Sequence, residues 1–202
     1  MAKWIGAVVL LAVLGSALWL GRTVRVGVVL SDSMRPTLQR ADAYLIRIDA
    51  YRHKAPARGD IVVIRNETDG TSLVKRVIGV GGDQVGVALG RVWLNGRLLA
   101  EPYIKKRRGV IERPVLTRVA DGHLFLLGDN RDFSEDSRDL GTLSVANVMG
   151  RVEAVIYPLN RRGRLPGPES QRKPQSGAAS GQVAGSSSTA PAKASQAHEA
   201  AS

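Results

Sequence analysis

The chain has 202 residues, enough for one domain of ordinary size with appendages. It contains no cysteine, which excludes disulfide frameworks and thiolate metal sites. A net charge of +11 admits an anionic membrane surface or nucleic acid as partner, but the basic residues are scattered.

Residues 4–21 carry no charged side chain and are rich in Val, Leu, Ala and Ile. As a helix they would reach about 27 Å, close to the ~30 Å hydrocarbon core of a bilayer. Trp4 and Trp19 stand near the two ends, where indoles favour the membrane interface. A cleaved signal peptide would have a shorter apolar core, and Gly15-Ser16-Ala17 is only a weak cleavage sequence. Residues 1–22 therefore read as an uncleaved single-pass membrane anchor, with the lipid bilayer as a partner. Lys3 precedes the span while Arg22, Arg25 and Arg35 follow it, a count that would leave the body in the cytoplasm.

Residues 23–160 read as short apolar strands separated by turns. Strands are expected over 23–30, 44–48, 61–65, 72–80, 85–89, 91–94, 123–127 and 148–156. Asn95-Gly96 predicts a tight hairpin turn before Arg97-Leu98-Leu99. A single helical turn is expected around residues 34–38. No long amphipathic helix follows the anchor, so the fold class is mainly β, an antiparallel sheet domain. The one compact basic run, Lys105-Lys106-Arg107-Arg108, has no aromatic interleaving and reads as a solvated loop, not a nucleic-acid site. Residues 161–202, made of Gly, Ser, Ala, Pro and Gln, cannot bury enough apolar surface to offset chain ordering and read as a disordered tail.

Chemistry concentrates at three places. Ser33 lies in Ser31-Asp32-Ser33-Met34-Arg35-Pro36-Thr37-Leu38, where Pro36 stops a valine-rich strand and presents a hydroxyl at the sheet edge. A serine becomes a useful nucleophile only beside a base, and no histidine is placed for that by any local pattern. Lys75, within the strand pattern of 72–80, is the alternative. Successive strand residues face opposite ways, so Lys75 or Arg76 must turn toward the buried side. A buried ammonium deprotonates readily; buried lysines with pKa of roughly 5–6 are documented. Ser31 is expected on the same strand face as Ser33, within reach of an oxyanion. The third place is Gly128-Asp129-Asn130-Arg131-Asp132-Phe133-Ser134-Glu135-Asp136-Ser137-Arg138. Its acidic residues could suggest a calcium loop, but the spacing does not fit an EF-hand.

Together these stretches resemble the type I signal peptidases, the bacterial leader peptidases of peptidase family S26. Ser33-Met34 with Pro36-Thr37-Leu38 resembles the family's nucleophile box, and residues 75–83 its lysine box. Arg58-Gly59-Asp60-Ile61-Val62-Val63 resembles a further structural box, and residues 128–138 the G-D-N-R-D-x-S-x-D-S-R box. The resemblance implies a membrane-bound serine endopeptidase that needs no cofactor or metal and removes signal peptides from exported preproteins after small residues at −3 and −1. It makes Ser33 the nucleophile, Lys75 the general base and Ser31 an oxyanion donor. Ser134 would hydrogen-bond the Lys75 amine, and Asp136 with Arg138 would form a supporting ion pair. Val29 and Val74 are candidates to line the substrate pockets. The family's location implies a catalytic domain on the outer side of the bacterial cytoplasmic membrane. A dedicated relative, such as a conjugative-transfer pilus maturation peptidase, is the alternative.

Overall fold

The computed structural model describes residues 21–104 and 114–165. The expected anchor (save its last residues), the basic run at 105–108 and the segment from 166 onward lie outside the described residues. No helix among the described residues is long and apolar enough to cross a membrane.

In chain order the strands are β1 (Val24–Val28), β2 (Ala43–Arg47), β3 (Ile61–Arg65) and β4 (Ser72–Val80). They continue with β5 (Gln84–Ala88), β6 (Arg91–Leu94), β7 (Arg97–Leu98), β8 (Val115–Arg118) and β9 (His123–Leu127). After a short helix, α1 (Ser137–Leu140), come β10 (Leu143–Ser144), β11 (Val148–Tyr157) and β12 (Gly163–Arg164). An eight-stranded sheet runs β1-β2-β11-β3-β4-β9-β10 with β12 against β11, and a four-stranded sheet runs β7-β6-β5-β8. The mainly β, antiparallel expectation is met.

The patterning explains the placement of β3, β4 and β9 at the centre. Ile61 and Val63 enter one core cluster with Val29, Met34, Leu38, Tyr44, Val152 and Val155. Their neighbours Val62 and Ile64 point the other way, into a cluster with Val77, Leu124, Leu126 and Leu143. An unbroken Ile-Val-Val-Ile run is therefore what a strand buried on both faces requires. Each such side chain contributes about 1.5–3 kcal/mol when fully buried. On β9, Phe125 and Leu127 join Ile78 of β4 and the second sheet's Val85, Val87 and Val92, which packs the two sheets together.

The β6–β7 hairpin turns at Asn95 and Gly96, with φ of 52° and 77°. Both central residues lie in the left-handed region that a two-residue hairpin turn of this twist demands.

Three features differ from expectation. First, β8, β10 and β12 were not anticipated, because two are only two residues long and the third, Val115–Arg118, spans only four. Second, β1 ends at Val28, so Ser31 and Ser33 stand in a turn, not on a strand face. Third, the folded body does not end at residue 160. Residues Leu159–Arg161 form a 3₁₀ turn, β12 pairs with β11, and Leu165 packs against the first core cluster.

Candidate active site

After β1 the chain turns through residues 29–42 and re-enters the sheet as β2. The turn closes on itself: Val29 N–H donates to Asp42 O and Ala41 N–H to Val29 O, each at 2.9 Å. Met34 and Leu38 anchor it from below, both buried in the first core cluster. Leu38 N–H donates to Met34 O at 2.9 Å, a single turn that does not propagate into a helix. Ser33 is 7% exposed within this closed turn. The Ser31 and Ser33 hydroxyl oxygens are 3.2 Å apart. Tight turning, not strand periodicity, brings them together.

Lys75 and Arg76 sit side by side on β4, Lys75 opposite Val62 and Arg76 opposite Ile61 of β3. Alternation had required one of them to be buried. The structure buries both, at 3% and 1% exposure, because the sheet is covered on each side. Arg76 is fully met. Its Nε and Nη2 donate to Asp129 at 2.8 and 2.6 Å, its Nη1 to Gly59 O at 3.1 Å, and its guanidinium lies 3.9 Å from the Tyr103 ring centroid. Among the described residues Lys75 has no such carboxylate. Burial lowers its pKa, with the charges of Asp136 and Glu135 opposing the shift and Arg138 adding to it.

Residues 128–138 dock directly on the serine turn. Asn130 N–H donates to Ser33 O at 2.9 Å, and its side-chain amide donates to Asp32 O at 2.9 Å. Thr37 donates through its hydroxyl to Asp129, so one carboxylate holds both Arg76 and the far side of the turn. Gly128 is where the two segments touch. A Cβ there would lie 2.2 Å from Ser134 Oγ and 2.6 Å from Ser33 O, so no side chain fits. Asp136 accepts from Gly128 N–H at 3.0 Å, caps α1, and pairs with Arg138 Nε at 2.8 Å. Arg138 also donates to the carbonyls of Arg131 (2.8 Å) and Ser134 (3.2 Å), which folds the loop around itself. The loop that grips Ser33 through Asn130 and Gly128 also carries Glu135, Asp136 and Arg138, whose charges act on Lys75.

A family model described as signal peptidase, peptidase S26, matches residues 1–157. The chain belongs to the signal peptidase family. It is 39% identical over 142 residues to a probable signal peptidase I-2 of Synechocystis, covering 67% of this chain and 64% of that protein. The chain thus spans just under two thirds of that relative's length. It is 36% identical to a signal peptidase I of Leptolyngbya laminosa, covering 69% of this chain and 72% of that protein. Against signal peptidase I U of Bacillus subtilis the identity is 33%, covering 63% and 72%. A solved signal peptidase I from Enterococcus faecalis V583 is similar at 29% identity and a TM-score of 0.44, over 48% of this chain and 97% of that one.

Within this signal peptidase family member, the positions singled out in the sequence fall as follows. Ser31 and Ser33 are adjacent, and Asp136 pairs with Arg138 as expected. Asp129 and Asp136 are both engaged by arginines, which leaves neither free to act as a calcium ligand. The expected Ser134–Lys75 hydrogen bond is not formed: Ser134 Oγ is buried and has no partner. Its backbone is held by Arg138 and its hydroxyl lies over Gly128. Val29 is buried in the first core cluster and Val74 packs against it, so their side chains mainly support the serine turn from within. Asn130, the arginine-binding role of Asp129, and Arg161 were not singled out individually. The first two lay inside a recognised motif, whereas Arg161 lay in a stretch whose composition reads as tail.

Proposed function

We propose that this signal peptidase family member is a membrane-anchored serine endopeptidase with Ser33 as nucleophile and Lys75 as general base, releasing signal peptides from exported preproteins. One observation supports the reading most: Lys75 is buried in β4 without a close carboxylate among the described residues, its pKa lowered by that burial, and the loop whose charges act on it also grips Ser33. A neutral amine can accept the Ser33 Oγ proton as that oxygen attacks the scissile carbonyl. The oxyanion so formed would be met by the Ser33 backbone N–H and the Ser31 hydroxyl. Removing one donor of that kind in a hydrolase typically costs about 10²–10³ in kcat. The new Lys75 ammonium then gives its proton to the leaving amine as the C–N bond breaks, leaving an ester on Ser33. Water, giving its proton to neutral Lys75, attacks that ester and frees Ser33.

The Ser134 hydroxyl, buried and otherwise unpartnered, is the group we assign to orienting the Lys75 amine during turnover. Asp136 and Arg138 hold the loop that carries it. Substrate selection for small residues at −3 and −1 would be set beside the serine turn, where Val29 and Val74 back the surface. Residues 4–21 would anchor the enzyme in the bacterial cytoplasmic membrane with the body outside. The exposed apolar side chains Val26, Val28 and Leu30 follow closely after that segment, which suits a body lying against the bilayer. Anchoring confines enzyme and preprotein to one interface and raises their effective concentration.

Cleavage of a purified preprotein tests the reading. Wild-type protein should release the signal peptide and be labelled at Ser33 by an acylating inhibitor, and Ser33→Ala should do neither. Wild-type turnover by the Ser33→Ala protein would sink the assignment.

A further inference from the structure

We infer that Arg161 is a positioning residue for the Ser33 turn, a clamp supplied from beyond the residues that the family model matches. The inference rests on the function proposed above. The family model stops at residue 157, whereas the chain continues through the 3₁₀ turn Leu159–Arg161 and into β12. Arg161 reaches across to the turn of residues 29–42. Its Nε donates to Asp42 Oδ1 at 3.0 Å and its Nη2 to Asp42 Oδ2 at 3.0 Å, a forked pair with a carboxylate that is 2% exposed. The same Nη2 also lies 3.4 Å from Pro36 O and 3.3 Å from Thr37 O.

These partners sit at the structural joints of the turn. Asp42 accepts from Gln39 N–H at 2.8 Å through its side chain, and its carbonyl accepts from Val29 N–H at the point where the turn closes. Pro36 and Thr37 form the crown of the turn, three and four residues after Ser33. Asp129 and Asn130 hold the turn independently, through Thr37, Asp32 and Ser33. The turn that carries Ser33 is therefore held by two separate segments, the motif loop and the C-terminal segment. A planar guanidinium is suited to this work, because it can pair a carboxylate in a fork and still direct a donor at neighbouring carbonyls.

With Arg161 removed, buried Asp42 loses its cation and two carbonyls lose a donor, so the turn is free to shift relative to Lys75. A displacement of about 1 Å at a reacting group can cost on the order of 10²-fold in rate. The expected consequence is a fall in kcat with little change in KM, since Arg161 touches the nucleophile's support and not the substrate.

Full-length Arg161→Ala, Arg161→Lys and Asp42→Asn proteins in detergent test this, with Arg164→Ala as a control on the same segment that keeps backbone pairing to β11. Well below the melting temperature, Arg161→Ala should lose about 10- to 100-fold in kcat and in the acylation rate of Ser33. Arg161→Lys should recover part of that loss, and Arg164→Ala should match wild type. Arg161→Ala combined with Asp42→Asn should lose less than the two single effects multiplied together. Wild-type kcat and acylation in Arg161→Ala would overturn the clamp while leaving the Ser33 assignment standing. A loss seen only in KM, or only in melting temperature, would also overturn it. Wild-type protein that neither cleaves preprotein nor acylates would overturn the functional reading and the clamp with it.

Discussion

On β4, two neighbouring cations are buried in contrasting surroundings. Around Arg76 the protein supplies a forked carboxylate, a backbone carbonyl and an aromatic face. Burial opposes its charge, but Asp129 outweighs that penalty and the pKa is raised. Around Lys75 no carboxylate among the described residues is within ion-pair distance, and burial prevails over the charges of Asp136 and Glu135 to lower the pKa. Equal burial therefore gives a permanent structural charge at one position and an amine that can lose its proton at the next. The difference lies in the partner supplied, not in the strand.

The largest effect that can break this contrast is on activity. Lys75→Arg keeps a long cationic side chain but one that does not deprotonate in proteins. Preprotein cleavage should fall by about 10³-fold or more, and retained activity would show that no neutral base is needed at this position. The next effect is on stability. Asp129→Ala strands the Arg76 charge in the core, and breaking a buried pair by removing one partner typically costs about 3–5 kcal/mol. Chemical denaturation should report a loss in that range. A negligible loss would mean that Arg76 is not committed to its charge as the comparison holds.

The smallest effect is the most discriminating. Unfolded lysine titrates near its ordinary value, while folded Lys75 titrates lower. Between those two values the unfolded chain binds more protons, so wild-type stability rises with pH through that window. Lys75→Met removes this linkage. The variant should melt higher than wild type at neutral pH, with the gain fading as pH rises toward about 10.5. A gain that does not vary with pH would assign it to apolar packing alone.

Much of the architecture was legible in the residues. Ile61–Arg65 and Ser72–Val80 have the bounds anticipated from their β-branched content, and Asn95-Gly96 forms its hairpin turn. Short pairings such as Leu143–Ser144 were not legible, because two residues carry no periodicity. Ser31 and Ser33 were expected to meet for a reason that does not apply: the turn, not a strand face, brings the hydroxyls together. Arg161 could not be read as a clamp. Its partners Pro36, Thr37 and Asp42 lie more than a hundred residues earlier, and no local pattern records such a contact.

By itself the sequence carried the motif order from Ser31 to Arg138, the antiparallel strand character and the two candidate residues, Ser33 and Lys75, on which the proposed mechanism rests. These depend on local composition and spacing, which the chain carries wherever it folds. Only the tertiary structure decided which cation on β4 is met by a carboxylate and which has its pKa lowered by burial. It also decided that the turn carrying Ser33 is bonded by two separate segments, and that residues 163–164 pair with β11 as a strand. Those outcomes depend on what distant segments bring to the same place: Asp129 and Tyr103 to Arg76, Asn130 and Gly128 to Ser33, and Arg161 to the turn behind it.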